Sequence, residues 1–176
     1  MNRKFDALGV HNIFFSDHYQ EEIKHIFEEK TLLDDPTIYL HISSKVATED
    51  APDGCENWFV MINAPSNKGQ NWDEIIPEAR KNILQKVSRI LNQNIEELIE
   101  FEEILEPRTI ESKTSSYQGA LYGAASNNRY AAFLRHPNFH RKIDNLFFVG
   151  GSVHPGGGIP LCLLSAKIVD DLTPKA

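Results

Sequence analysis

At 176 residues, 41% of them hydrophobic, the chain can bury one core, and no apolar run approaches the ~18 residues that cross a bilayer. Basic residues number 18 against 25 acidic ones, a formal charge of −7, and no basic cluster exceeds pairs such as Arg141-Lys142, which argues against nucleic acid as a partner. Cys55 and Cys162 lie far apart and read as reduced thiols of a cytoplasmic protein, while Met1 to Asp6 lacks the apolar stretch of a secretory signal.

Val10 to Ser16 carries Ile13, Phe14 and Phe15 and reads as a strand, after which Asp17 with Gln20 makes a capping box. Tyr19, Ile23, Ile26 and Phe27 then share one face of an amphipathic helix reaching about Lys30, with Glu21, Glu22, Lys24 and Glu28 on its solvated side. From Thr37 to Val46 the pattern alternates, Ile38, Leu40 and Ile42 against Tyr39 and His41, the period of a half-buried strand. The cluster Asp50 to Gly54 breaks it, and Asn57 to Asn63 supplies a second strand that returns antiparallel beside the first. Ile76, Ala79, Ile83, Leu84, Val87, Ile90 and Leu91 mark the longest helix, about Asp73 to Leu91, with Pro77 near its first turn. Asn94 to Glu97 is a second capping box opening a very short helix. Ile99 to Ile104 alternates like a strand until Pro107, and Thr109 to Ser115 forms a further short helix. Tyr117, Tyr122, Tyr130, Phe133 and Phe139 make the next stretch rich in rings, interrupted by a turn at Asn127-Asn128; residue type alone favours core packing over a ligand channel.

The most informative stretch comes last. Leu146 to Val149 is a continuous apolar run bounded by Gly150-Gly151, as in a strand buried on both faces. Ile159, Leu163, Ala166 and Val169 space a mostly buried helix from Ile159 to Leu172, with Pro160 in the first turn, where proline is tolerated. Between them lie Gly150, Gly151, Gly156, Gly157 and Gly158, residues that let backbone approach another object and direct free N–H groups at it. A helix N-terminus also carries partial positive charge, so an electron-rich ligand edge suits the place. On glycine content alone, a plain turn between a strand and a core helix is the stronger reading.

Other residue pairs carry less chemistry. His136 and His140 are four apart, but Pro137 and Asn138 between them disfavour a helix, and no carboxylate or cysteine completes a metal set. His154, inside the glycine loop, has the intrinsic pKa of a catalytic base, and a purely structural role is equally open. Ser165 lies well inside the last helix without a nucleophile-elbow pattern, so packing accounts for it.

Gly150-Gly151-Ser152-Val153-His154-Pro155-Gly156-Gly157-Gly158-Ile159-Pro160, followed by Ser165-Ala166-Lys167, resembles the C-terminal flavin-contacting segment of the carotenoid (phytoene) desaturase family of FAD-dependent oxidoreductases. Leu8 to Ser16 and Tyr117 to Gly123, ahead of Arg135-His136-Pro137, also resemble that family, so the likeness spans nearly the whole chain and only the C-terminal part of the family. The family's N-terminal Gly-x-Gly-x-x-Gly unit, which binds the ADP half of FAD, does not occur in this sequence.

The mixed element order argues an α+β (mixed α/β) fold. The resemblance implies a substrate-domain portion at 1–106, a connecting segment at 107–144, and at 145–176 the strand, glycine loop and helix of a Rossmann-like FAD-binding domain. It implies that Gly150, Gly151 and Ser152 lie near the FAD phosphate and ribityl portion. Gly157, Gly158, Ile159 and Pro160 would meet the N1–C2=O edge of the isoalloxazine. The implied reaction is dehydrogenation of a long apolar isoprenoid by hydride transfer to flavin; a retinol-saturase-like polyene reaction stays open. So does a non-catalytic module that binds an apolar ligand or the subunit of a split flavoenzyme. Alone, the chain is expected to bind FAD weakly or not at all, to lack turnover and to form a homo-oligomer; the complete enzyme would touch the membrane surface peripherally.

Overall fold

The strand from Ile38 to His41 organises the first half of the molecule, because Ile38, Leu40 and Ile42 point one way and are fully buried. The computed structural model describes residues 1–124 and 134–173. The turn expected at Asn127-Asn128 and the rings of Tyr130 and Phe133 lie outside them. The chain divides into two compact units, Met1–Glu106 and Pro107–Ala176. Together the described elements make a small mixed α/β protein with a three-stranded antiparallel sheet and four α-helices.

In the first unit β1 (His11–Phe14), β2 (Ile38–His41) and β3 (Phe59–Ile62) pair antiparallel in that order, Leu40 standing opposite Asn12 on one side and Val60 on the other. Strict alternation along β2 and into Ile42, the residue after it, sends Ile38, Leu40 and Ile42 to a core shared with Phe5, Leu8, Ile95 and Val87. Val87 comes from α2 (Trp72–Leu91), which closes that face and ends at Asn92 in the left-handed conformation, φ 51°. Pro77 sits in the second turn of α2 rather than the first.

The short helix after β1 departs from the sequence pattern. α1 (Tyr19–Lys24) continues as one π-turn, His25–Glu29, and stops at left-handed Lys30. No side chain caps it: Asp17 donates its N–H to Asp35 at 2.7 Å, and the residue before the helix is His18. Glu22, assigned to the solvated side, is 1% exposed, while Tyr19 and Phe27 are out in solvent. The Glu22 carboxylate accepts the Thr37 N–H at 2.9 Å and the Thr37 hydroxyl at 2.6 Å, securing the residue that leads into β2. Periodicity counts charge as outward-facing; here a carboxylate is held inside because it satisfies donors that have no other partner. Lys86 of α2 does likewise, donating to the carbonyls of Phe15 and Pro36 and pairing with Asp35 at 2.7 Å.

Glu56 is the third buried charge. Its carboxylate pairs with Lys45 at 2.7 Å and accepts from the Trp58 indole and the Phe5 N–H. Burial by itself would raise its pKa, but these three donors outweigh burial and hold it below the ordinary 4.5. The group therefore contributes stability that is complete above that ordinary value and lost as pH falls through the depressed folded value. Denaturant midpoints of the native chain are expected to drop as pH goes below 4.5, and Glu56→Gln to flatten that slope at the cost of lower stability near neutrality. An unchanged slope in the variant would refute the assignment.

Ile99 to Ile104 is not a strand. Phe101 is 82% exposed and no neighbouring strand pairs with the segment among the described residues. Instead Arg80 forks onto Glu102, at 2.7 and 3.0 Å, and onto Glu96 at 2.7 Å. The Asn94–Glu97 capping box forms only between side chains, Asn94 donating to Glu97 at 2.7 Å ahead of a single 3₁₀ turn.

The second unit holds α3 (Pro107–Thr114), a 3₁₀ turn at Tyr117–Gly119 and α4 (Ile159–Leu172). Leu146 to Val149 does not form the expected inner strand. Its pairing is one antiparallel bridge, Phe139 with Phe147, flanked by His140 N–H to Leu146 O at 2.9 Å and Phe148 N–H to Asn138 O at 2.8 Å. Val149 is 56% exposed. An apolar run becomes a buried strand only where neighbours flank it on both sides, and the described residues supply one short partner. The bounds of α4 match the expectation, its burial does not: Ile159 is 80% and Leu163 68% exposed, and Ser165 is its only fully buried residue.

Candidate functional site

Two residues that periodicity does not single out hold the glycine loop in place. Asn138 and Ser165 are both buried and meet at 2.8 Å. The Asn138 side-chain amide also lies 3.0 Å from the Phe148 carbonyl and 2.9 Å from that of His154, while Ser165 Oγ accepts the Gly150 N–H at 3.1 Å. The start of the loop at Gly150 and its middle at His154 are thus tied, through Asn138 and Ser165, to the middle of α4. The His154 N–H donates to His136 O at 2.9 Å and the following bond to Pro155 is cis. Ser165, read from the sequence as packing, acts as a polar hub, and Asn138 carried no signal because a lone asparagine after proline looks like any loop residue.

The loop then turns into α4 without a side-chain cap. Gly158 occupies the N-cap position at φ 100°, a region other residues enter only with strain, and a side chain there would point into open space. The first amide of the helix with an acceptor is Cys162, donating to Gly158 O at 2.9 Å; those of Ile159 and Leu161 have none among the described residues, and Pro160 has no N–H. Beside this start lies a cavity of about 410 Å³ lined by Tyr122, Gly158, Ile159, Cys162 and Leu163.

Tyr122 covers Gly157. A Cβ on Gly157 would fall 2.4 Å from the ring, so the glycine is required by close packing. Arg135 fixes that tyrosine's backbone, donating from Nη1 to Tyr122 O at 2.8 Å, and lies against Gly156. The seven residues predicted from the sequence fall in two stretches, Gly150, Gly151 and Ser152, and Gly157, Gly158, Ile159 and Pro160, which meet where Gly151 packs on Gly157. Tyr122 joins them from the ring-rich stretch.

The chain is 60% identical over 175 residues to a 1-hydroxycarotenoid 3,4-desaturase of Flavobacterium sp. (strain P99-3), covering 99% of this chain and 36% of that protein. The chain corresponds to the C-terminal part of the carotenoid desaturase family. It is also 34% identical over 172 residues to a 4,4'-diaponeurosporene oxygenase of Staphylococcus haemolyticus (strain JCSC1435), and 34% identical over 173 residues to a 4,4'-diapolycopene oxygenase of Methylomonas sp. These cover 97% of the chain in each case, against 34% and 35% of the relatives, so the chain spans about a third of the length of the curated relatives it matches. No established protein-family profile matches it.

His136 and His140 both flank the Phe148 ring, and no group of three histidine, cysteine or carboxylate side chains gathers at metal-binding distance among the described residues. His154 is exposed at the loop and held through its backbone. No helix among the described residues is long and apolar enough to cross a membrane.

Proposed function

We propose that the chain is part of an FAD-dependent oxidoreductase acting on a long apolar isoprenoid, and that the start of α4 receives the pyrimidine edge of the flavin. The observation that carries this is the uncapped helix start beside an apolar cavity. Among the described residues Ile159 and Leu161 offer unpaired amides, Gly158 leaves its flank clear, and Tyr122, Ile159 and Leu163 provide flat or aliphatic walls. A planar, electron-rich ring edge fits that donor set. Tyr122 closes the Gly157 flank, so a ring would approach from the Gly158–Leu163 side. Flavin, when bound, supplies a hydride acceptor. The amides of Ile159 and Leu161 and the dipole of α4 would stabilise negative charge on a ring edge held there. Asn138 and Ser165 keep the amides aimed, and Gly150, Gly151 and Ser152 let the ribityl and phosphate portion run along the loop.

In this reading 1–106 serves the substrate, 107–144 connects, and 145–176 belongs to a Rossmann-like flavin domain whose Gly-x-Gly-x-x-Gly unit this sequence does not contain. The substrate is a polyene of the kind named for the relatives, whether desaturated or saturated, and the complete enzyme meets it at the membrane surface. The exposed aliphatic residues of α4 favour self-association or a partner subunit instead of a free monomer. Turnover by the chain alone is not expected.

Amide-resolved NMR with millimolar FAD tests the site even where binding is weak. Shifts are expected at Gly157 to Leu161 and in the Tyr122 ring, and Gly158→Val is expected to abolish them. Shifts confined elsewhere, or unchanged in the variant, would sink the proposal.

A further inference from the structure

Within the second unit, Tyr122 and Gly123 lie across the glycine loop. A Cβ on Gly157 would fall 2.4 Å from the Tyr122 ring, and one on Gly151 would fall 3.9 Å from the same ring carbon. One on Gly123 would fall 3.1 Å from both Cα and Cβ of Ser152. Backbone thus meets backbone along a line that covers Gly151, Ser152 and Gly157, while a Cβ at Gly150 or Gly158 would meet no atom within 4 Å. Little else holds this strap. Among the described residues, the bond from Arg135 Nη1 to Tyr122 O at 2.8 Å is the one hydrogen bond made by Leu121, Tyr122 or Gly123, and Leu121 and Tyr122 are 58% and 59% exposed. Left-handed backbone flanks the segment, at Gly119, which packs on Pro107, and at Gly123, each with φ 72°. Glycine tolerates rotation at both places, as a hinge requires.

Resting on the flavin reading above, we infer that Tyr122-Gly123 is an autoinhibitory strap with Arg135 as its latch: it fills the path over Gly151 and Ser152 that the ribityl and phosphate tail of a flavin nucleotide would take. A bare ring system entering from the Gly158–Leu163 side passes the strap by. A tail laid along the loop has to lift it, which breaks the Arg135 bond and parts the Tyr122 ring from Gly157. Affinity for a tailed flavin is therefore lowered by the fraction of chains whose strap is open, and anything that weakens the latch raises it.

The experiment titrates the full chain with FAD and with lumiflavin, the same ring without its tail, and reads amide shifts at Gly157 to Leu161. Gly123→Cys with Ser152→Cys, on a Cys55→Ser, Cys162→Ser background, staples the strap shut; the two Cβ positions suit a disulfide after a shift of a few tenths of an ångström. The stapled form is expected to bind FAD at least about tenfold more weakly than the same protein reduced by a phosphine, and lumiflavin within about twofold. Arg135→Gln frees the strap without a new bond. It is expected to raise FAD affinity about tenfold at about 0.5 M salt, where losing one exposed positive charge counts for little. A merely structural role for Arg135 would lower that affinity instead. Equal FAD binding by the stapled and reduced forms, equal weakening of both probes by the staple, or weaker FAD binding in Arg135→Gln overturns the strap and leaves the flavin reading standing. If neither probe shifts the α4 amides of the unaltered chain, the flavin reading falls and the strap falls with it.

Discussion

Leu40→Ala is expected to lower the unfolding free energy of the first unit by about 3 kcal/mol, within the usual span for emptying a buried leucine site. Leu40 is 0% exposed and sits on the central strand, between Asn12 of β1 and Val60 of β3, over a core that includes Val87 and Ile95. Neighbours anchored on two strands and a long helix cannot collapse into the vacated space, so both lost transfer energy and a residual cavity count. In thermal terms the shift is about 15 °C for a unit of this size. Met61→Ala, on the outward face of β3, serves as the control and is expected to change stability by less than about 0.5 kcal/mol. Equal losses in the two variants, measured by urea unfolding, would mean that β2 is not the centre of the core.

Asn138→Ala is expected to cost about 3 kcal/mol in the second unit, and its effect is directional as well as large. The truncation leaves the Phe148 and His154 carbonyls and the Ser165 hydroxyl without their shared donor in a buried place. Hydrogen exchange should therefore accelerate at Gly150 and His154, at the start and middle of the glycine loop, before it does so in α3. Ser165→Ala should cost less, about 1.5 kcal/mol, because it orphans the Gly150 N–H but leaves the Asn138 amide its two carbonyl partners. Combining the two should cost less than the sum, since each removes the partner of the other. Strict additivity would argue that the two residues act independently.

Leu40 and Asn138 differ in how far the sequence reveals them. The alternation of Ile38, Leu40 and Ile42 made β2 legible, and helical spacing from Ile76 to Leu91 made α2 legible, because long periodic runs average over local exceptions. The exceptions are single polar residues. Glu22, Lys86 and Glu56 look solvated in any periodic scheme, yet each is buried on at least one partner far away in sequence: Thr37 lies 15 positions from Glu22, Phe15 lies 71 from Lys86 and Phe5 lies 51 from Glu56. Asn138 and Ser165 are 27 positions apart. Pairing at that range leaves no trace in local pattern, so these residues emerge only from coordinates. The runs Ile99 to Ile104 and Leu146 to Val149 failed for the opposite reason: alternation and apolarity report a capacity to pair, and pairing also needs a neighbour.

The glycine loop combines both kinds of information. Its five glycines and Pro160 announce a helix start approached closely by something else, since backbone freedom and a missing N–H are properties of the residues themselves. Which flank is closed, and by what, depended on Tyr122 folding back onto Gly157 from 35 positions upstream in chain order. From its residue order alone, then, this chain declared its strands, its long helix and a bared helix start, because those follow from backbone chemistry and short-range period. Its buried charges, its asparagine–serine hub and the aromatic wall of the cavity were decided by the folded arrangement, because burial and hydrogen-bond satisfaction are settled between residues that only the tertiary structure brings together.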